Sequence, residues 1–145
     1  MSEMLANYHF IVRNYCNAVP ELEEELLKKP FNKPIMKKLI ICYTQTNKLQ
    51  QALNLFIQLI EEDINFIIDT DHEYEDCPCP DLIAMIENET IKRDTLIEKY
   101  IELGILWLYC DKEESFKYFM KAIDLDKNNK PLLTIIDLLQ KTQTE

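Results

Sequence analysis

A chain of 145 residues that is 47% apolar is long enough to bury a core, and its 26 acidic against 16 basic residues leave a net charge of −10, which disfavours direct binding to nucleic-acid phosphates. One glycine in the whole chain leaves few residues for the φ > 0 turns of hairpins, while straight-chain helix formers abound, so a β architecture is excluded and an all-α fold is expected. No stretch approaches the roughly 20 uncharged apolar residues of a membrane span, and the first ten residues contain Glu3 without a basic start, so a soluble cytoplasmic protein with no membrane partner is expected.

Proline and capping residues divide the chain into about eight helices. Ser2 is placed to cap a first helix running to Ala18, with Leu5, Tyr8, Ile11, Val12 and Tyr15 at helical spacing. Pro20 then opens a short second helix whose early glutamates and late Lys28 and Lys29 suit the helix dipole at both ends. Pro34 opens a third helix to Thr46, Asn47 makes the turn, and a fourth runs from Lys48 to Ile68 with Ala52, Leu53, Phe56, Leu59 and Ile60 inward. A break over residues 69–79 precedes a short helix from Pro80 to Glu89. A long helix beginning at Thr90 or Asp94 reaches Cys110, Asp111 caps the next through Leu125, and Pro131 opens the last. Beyond Lys141 the tail is expected to fray. Cys16, Cys42 and Cys110 fall inside apolar helical patterns and read as small structural hydrophobes, and an odd total of five cysteines does not suggest a disulfide framework.

One pattern occurs twice. Met36, Leu39, Ile40 and Tyr43, followed by Asn47, Ala52, Phe56 and Leu59, is echoed by Tyr100, Leu103, Gly104 and Trp107, followed by Cys110, Ser115, Phe119 and Ala122. A large residue, an apolar pair, an aromatic, a turn and then a small-aromatic-small series is how two antiparallel helices pack into one repeating unit. The second copy resembles a tetratricopeptide repeat over both of its helices, with Lys127 replacing the usual terminal proline and the turn one residue short. The first copy resembles the same family, or the related pentatricopeptide type, with Ile40 in place of glycine and Leu59 in place of alanine.

The two turns lie 63 residues apart, which is neither one family period nor two. The expected organisation is therefore a single helical-repeat domain over residues 1–145, a short tetratricopeptide-like superhelix with an irregular acidic insertion. A diverged helix pair occupies residues 1–30 and the first repeat residues 34–63. The acidic loop and short helix fill residues 64–93, the second repeat residues 94–126, and a capping helix residues 130–141. The resemblance implies protein or peptide binding on a concave side lined by the first helix of each pair. Carried over by position, that side holds Lys37, Ile41, Thr44 and Gln45 from one pair and Glu98, Ile101, Ile105 and Tyr109 from the other, although Ile41, Ile101 and Ile105 read equally well as core residues packed on a neighbouring helix. The family's carboxylate clamp needs several Lys, Arg and Asn residues there, and only Lys37 is offered.

Between Leu49 and Ile91 there is no Lys or Arg but there are eleven acids, more than the whole net charge of −10. The densest part, residues 69–80, combines prolines with repelling charge and reads as an exposed loop. Asp69, Asp71, Glu73 and Glu75 form a candidate docking surface for a basic protein partner, where opposite charge speeds encounter and favours the right partner. The same loop holds the one partial metal constellation, His72, Cys77 and Cys79, although strong zinc motifs pair two Cys-x-x-Cys knuckles and this chain has no second half. A redox-sensitive Cys77–Cys79 pair is disfavoured by the neighbouring acids, which should raise the thiol pKa. No phosphate loop, nucleophile elbow or metalloprotease helix is present, so no enzyme and no cofactor are expected. The sequence therefore reads as a binding module with a zinc-binding or purely self-associating helical protein, including a homodimer, as the alternative.

Overall fold

A computed structural model describes residues 2–143, so the Ser2 cap lies outside the described side chains; the last helix continues to Gln143 instead of ending at Lys141, and the rest of the tail lies outside the described residues. The chain is all-α, and no strand occurs among the described residues. The helices are α1 (Ser2–Ile11), α2 (Tyr15–Lys28), α3 (Lys33–Thr44), α4 (Leu49–Asp63), α5 (Asn65–Ile68), α6 (Cys79–Glu87), α7 (Leu96–Leu108), α8 (Lys112–Leu125) and α9 (Lys130–Gln143). They gather into two compact units, Met1–Leu59 and Ile60–Glu145.

In the first unit α1 packs on α2 and α2 on α3. Here the sequence expectation fails at three points. The first helix stops at Ile11 rather than Ala18, because Arg13 takes the left-handed conformation at φ 64°. The Arg13 amide donates to the Phe10 carbonyl at 3.0 Å and the Asn14 amide to the His9 carbonyl at 2.8 Å, the paired bonds of a Schellman ending. Pro20 then lies inside α2 rather than at its start, so the helix forgoes one backbone bond there. The helical spacing of Leu5, Tyr8, Ile11 and Val12 also proves to mark the exposed side of α1, whereas Ala6 and Phe10 are buried. Farther along, expectation and structure agree. The Asn32 side chain accepts from the Ile35 amide at 3.1 Å with Pro34 in the first turn of α3, and Asn47 makes its turn at φ 60°.

In the second unit α6 packs on α7, α7 on α8, and α8 on α9. The expected fourth helix is interrupted at Ile64, directly after Glu61, Glu62 and Asp63, whose charges oppose the negative end of the helix dipole. Thr95 rather than Thr90 or Asp94 caps α7, accepting from the Glu98 amide at 3.2 Å. Asp111 caps α8 as expected, accepting from the Glu113 and Glu114 amides at 2.9 and 3.4 Å.

The α7–α8 contact is close because Gly104 has no side chain. A Cβ on Gly104 would lie 2.8 Å from the tip of the buried Phe119 ring. The buried Ser115 hydroxyl donates to the Gly104 carbonyl at 2.6 Å. These are the small and aromatic positions of the repeated pattern, so the spacing in sequence translates directly into side-chain interlock. Glu102, 1% exposed on α7, is neutralised by a two-bond contact from the Arg93 guanidinium. An ion pair this enclosed must hold both partners, because a lone buried charge is costly.

Candidate functional site

The helical stripe assigned to a concave surface is mostly enclosed. Lys37, Ile41 and Thr44 on α3 are buried, as are Ile101, Ile105 and Tyr109 at α7. Gln45 and Glu98 are half-buried and have local partners: Gln45 Nε2 donates to Thr44 Oγ1 at 3.1 Å, and Glu98 accepts from the Thr95 hydroxyl at 2.9 Å. The six buried residues therefore serve packing rather than an open groove, which corrects their assignment as a partner surface. An apolar stripe cannot by itself distinguish a core face from a binding face.

The acidic segment between α5 and α6 has no helix and is held by short-range bonds. Asp71 Oδ1 accepts from the Tyr74 amide at 3.1 Å, while the Asp71 amide donates to Glu75 Oε2 at 2.9 Å. The Glu75 amide returns to the Asp71 carbonyl at 2.9 Å, and the Cys77 amide donates to the His72 carbonyl at 3.1 Å. Asp76 supplies the turn at φ 52°, a conformation Asp and Asn tolerate better than most residues. Asp69, Asp71, Glu73 and Asp76 are exposed, and Glu75 is half-buried. The proposed docking residues thus separate into two kinds. Asp69 and Glu73 present charge to solvent, whereas Asp71 and Glu75 also fasten the loop.

The cysteines differ from one another more than their sequence patterns suggest. Cys42 is buried and Cys110 half-buried, and desolvation pushes each thiol up to about 12. Cys16 is exposed, so its reading as a buried hydrophobe is corrected: it sits in the first turn of α2 on the solvent side. Cys77 behaves in the opposite way to Cys42 and Cys110. Its thiol is lowered to about 6, first by a hydrogen bond from the Cys79 thiol and then, against the opposing effect of burial, by the Cys79 backbone N–H and the His72 imidazole. The expectation that the surrounding acids would raise this thiol pKa is overturned, since donors in contact with the sulfur outweigh carboxylates on the same loop.

His72 Nδ1 is enclosed with no hydrogen-bond partner. Even so, among the described residues no group of three or more His, Cys, Asp or Glu side chains is placed to hold a metal ion, and the partial zinc motif gains no structural support.

Two features of the second unit had no sequence signal beyond ordinary polar residues. Glu87 Oε2 accepts from Trp107 Nε1 at 3.2 Å and from the Tyr118 hydroxyl at 2.6 Å, tying α6 to α7 and α8. A cleft of about 240 Å³ is bordered by Ile86, Ile91, Arg93, Thr95, Leu96 and Lys99 among others. Its Arg93 is committed to Glu102, and Lys99 lies 3.6 Å from Glu89, so these cations already have acidic partners. Among the described residues no helix is long and apolar enough to cross a membrane. Comparison with known proteins returns no matching family model, curated protein or solved structure.

Proposed function

We propose that this chain is a non-enzymatic, cytoplasmic protein-binding module, a tetratricopeptide-like adaptor, chaperone or inhibitor that uses its acidic segment to dock a basic protein or peptide. The observation that carries the reading is the exposed carboxylate surface of Asp69, Glu73, Asp76 and Asp81, within a stretch from Leu49 to Ile91 that contains no Lys or Arg. A field of one sign raises the encounter rate with an oppositely charged partner and disfavours acidic competitors. The tetratricopeptide-like reading is supported by the interlock of Gly104, Ser115 and Phe119 between α7 and α8.

The test is charge reversal at positions that do not fasten the loop. Asp69→Lys, Glu73→Lys and Asp81→Lys together should weaken capture of a basic partner at least tenfold at low salt, while Leu27→Ala, an exposed apolar control, leaves it unchanged. Undiminished capture by the triple variant rejects acidic docking.

Self-association is the second reading, favoured by the outward face of α1 and the residue that follows it, where Met4, Leu5, Tyr8, Ile11 and Val12 are between 44% and 75% exposed. Sedimentation equilibrium of the parent and Tyr8→Glu decides it: a dimer lost in the variant supports this reading, and a monomer at all concentrations removes it.

A further inference from the structure

The rings of Tyr100 on α7 and Tyr118 on α8 meet in the second unit, with centroids 6.0 Å apart and planes tilted by 41°. Both side chains are half-buried. The Lys121 ammonium stands over the two rings at once, 4.9 Å from the Tyr118 centroid and 5.6 Å from that of Tyr100. A cation at this range is attracted by the negative face of each ring. Lys121 is exposed and forms no ion pair among the described residues, so the rings are its charge partners.

A carboxylate lies at the hydroxyl edge of the same cluster. Glu87, the last residue of α6, accepts through Oε2 from the Tyr118 hydroxyl at 2.6 Å and from Trp107 Nε1 at 3.2 Å. Its side chain is exposed, and among the described residues nothing donates to Oε1. The helix C-terminus adds the negative end of its dipole to this charge. The nearby Lys117 is engaged with Glu114 at 3.2 Å. The bonds to Glu87 account for Trp107 and Tyr118 as ties between helices, but Tyr100 takes no part in them; its ring meets Tyr118 and Lys121.

We propose, resting on the reading that the partner is basic, that Tyr100, Tyr118 and Glu87 receive one arginine side chain of that partner, and that Lys121 occupies the place until it is displaced.

A guanidinium lies flat on an aromatic face and still directs N–H donors outward from the edge of its plane. Stacked on Tyr118, it would aim those donors along the ring toward Glu87 Oε1. The Lys121 ammonium reaches the rings without pairing with that carboxylate, and a quaternary ammonium has no N–H to offer it. A guanidinium is also more weakly hydrated than an ammonium, which favours the exchange of Lys121 for arginine.

The test uses the full chain and N-acetylarginine N-methylamide as the probe. Trp107 is the single tryptophan and its indole N–H is bonded to Glu87, so one peak in a proton–nitrogen correlation spectrum reads the carboxylate. The citrulline analogue keeps the shape of the probe without its charge, and the lysine analogue keeps the charge without the planar fork. The arginine probe should shift the indole peak saturably, the lysine analogue more weakly and the citrulline analogue not at all. Lys121→Gln clears the rings and should tighten arginine binding about two- to fivefold. Tyr100→Leu should weaken it by a similar factor, a change that a purely packing role would not produce. No saturable shift, equal shifts from arginine and citrulline, or an affinity unchanged in Lys121→Gln overturns the proposal. A lysine analogue that binds as tightly as arginine overturns the choice of guanidinium. The parent and Lys121→Gln supply the primary readouts, so these do not depend on Tyr100→Leu folding. A probe with one charge, read at Trp107, bypasses the Asp69, Glu73 and Asp81 surface. Probe binding with undiminished partner capture by the triple variant therefore removes the loop reading alone, and lost capture without probe binding removes the arginine site alone.

Discussion

The α7–α8 pair and the acidic segment of residues 69–78 belong to the same unit but are held by different forces. The pair is fixed by burial: Leu103, Ile105 and Leu106 are fully enclosed, Phe119 fills the space left by Gly104, and Ser115 closes the contact with a buried hydrogen bond. The acidic segment has almost no apolar content to bury, and its shape comes from local bonds among Asp71, Tyr74, Glu75, His72 and Cys77. Side-chain changes in the first region should therefore act on global stability, and changes in the second on local geometry and reactivity.

The largest effect should come from unbalancing the buried charge of the pair. Arg93→Ala leaves the enclosed Glu102 carboxylate without its two-bond partner, and unfolding titration in urea should show a loss of about 3–5 kcal/mol. Changes at the interlock come next. Gly104→Leu forces a branched side chain into the Phe119 ring and should cost about 3 kcal/mol. Gly104→Ala pits a similar but smaller clash against the roughly 1 kcal/mol helix-propensity gain of alanine. The clash should prevail by about 1 kcal/mol, because the ring it meets is itself buried.

A third change contrasts the regions through pH. The Cys77 pKa is lowered in the folded chain to about 6 from 9.0, so its ionisation stabilises the fold above the unfolded value, and that contribution is lost as pH falls through 6. Because Cys77 is only partly enclosed, stability should rise by about 1–2 kcal/mol from pH 6 to pH 8 relative to Cys77→Ser. Cys42 and Cys110 shift the other way and titrate above this window, so they do not mask it. The smallest effect is at the cap of α8, where Asp111→Ala removes the acceptor of the Glu113 and Glu114 amides and should cost about 1 kcal/mol by thermal unfolding.

The same contrast explains what was legible from residue order. Helix identity, the Pro34, Asn47 and Asp111 boundaries and the Gly104–Phe119 interlock could be read because each depends on residues within a turn or on a regular apolar period. The end of α1 was missed because a left-handed Arg13 carries no compositional signal, whereas Pro20 is a strong signal that the chain overrode. The stripe of Ile41, Ile101 and Ile105 was visible, but which neighbour covers it was not, so residue order alone could not tell a packed face from a binding face. In the loop the cysteines could be found by inspection. Their chemistry could not, because it depends on which donors contact the Cys77 sulfur rather than on how many acids lie nearby in sequence.

The acidic docking reading is tested most directly by parallel capture from lysate at low and high salt, using the parent and the Asp69→Lys, Glu73→Lys, Asp81→Lys variant, with the captured proteins ranked by charge. The prediction is a basic partner bound by the parent, released by salt and absent from the variant. Equal capture by both forms at both salt concentrations, or enrichment of partners with no basic character, would contradict it.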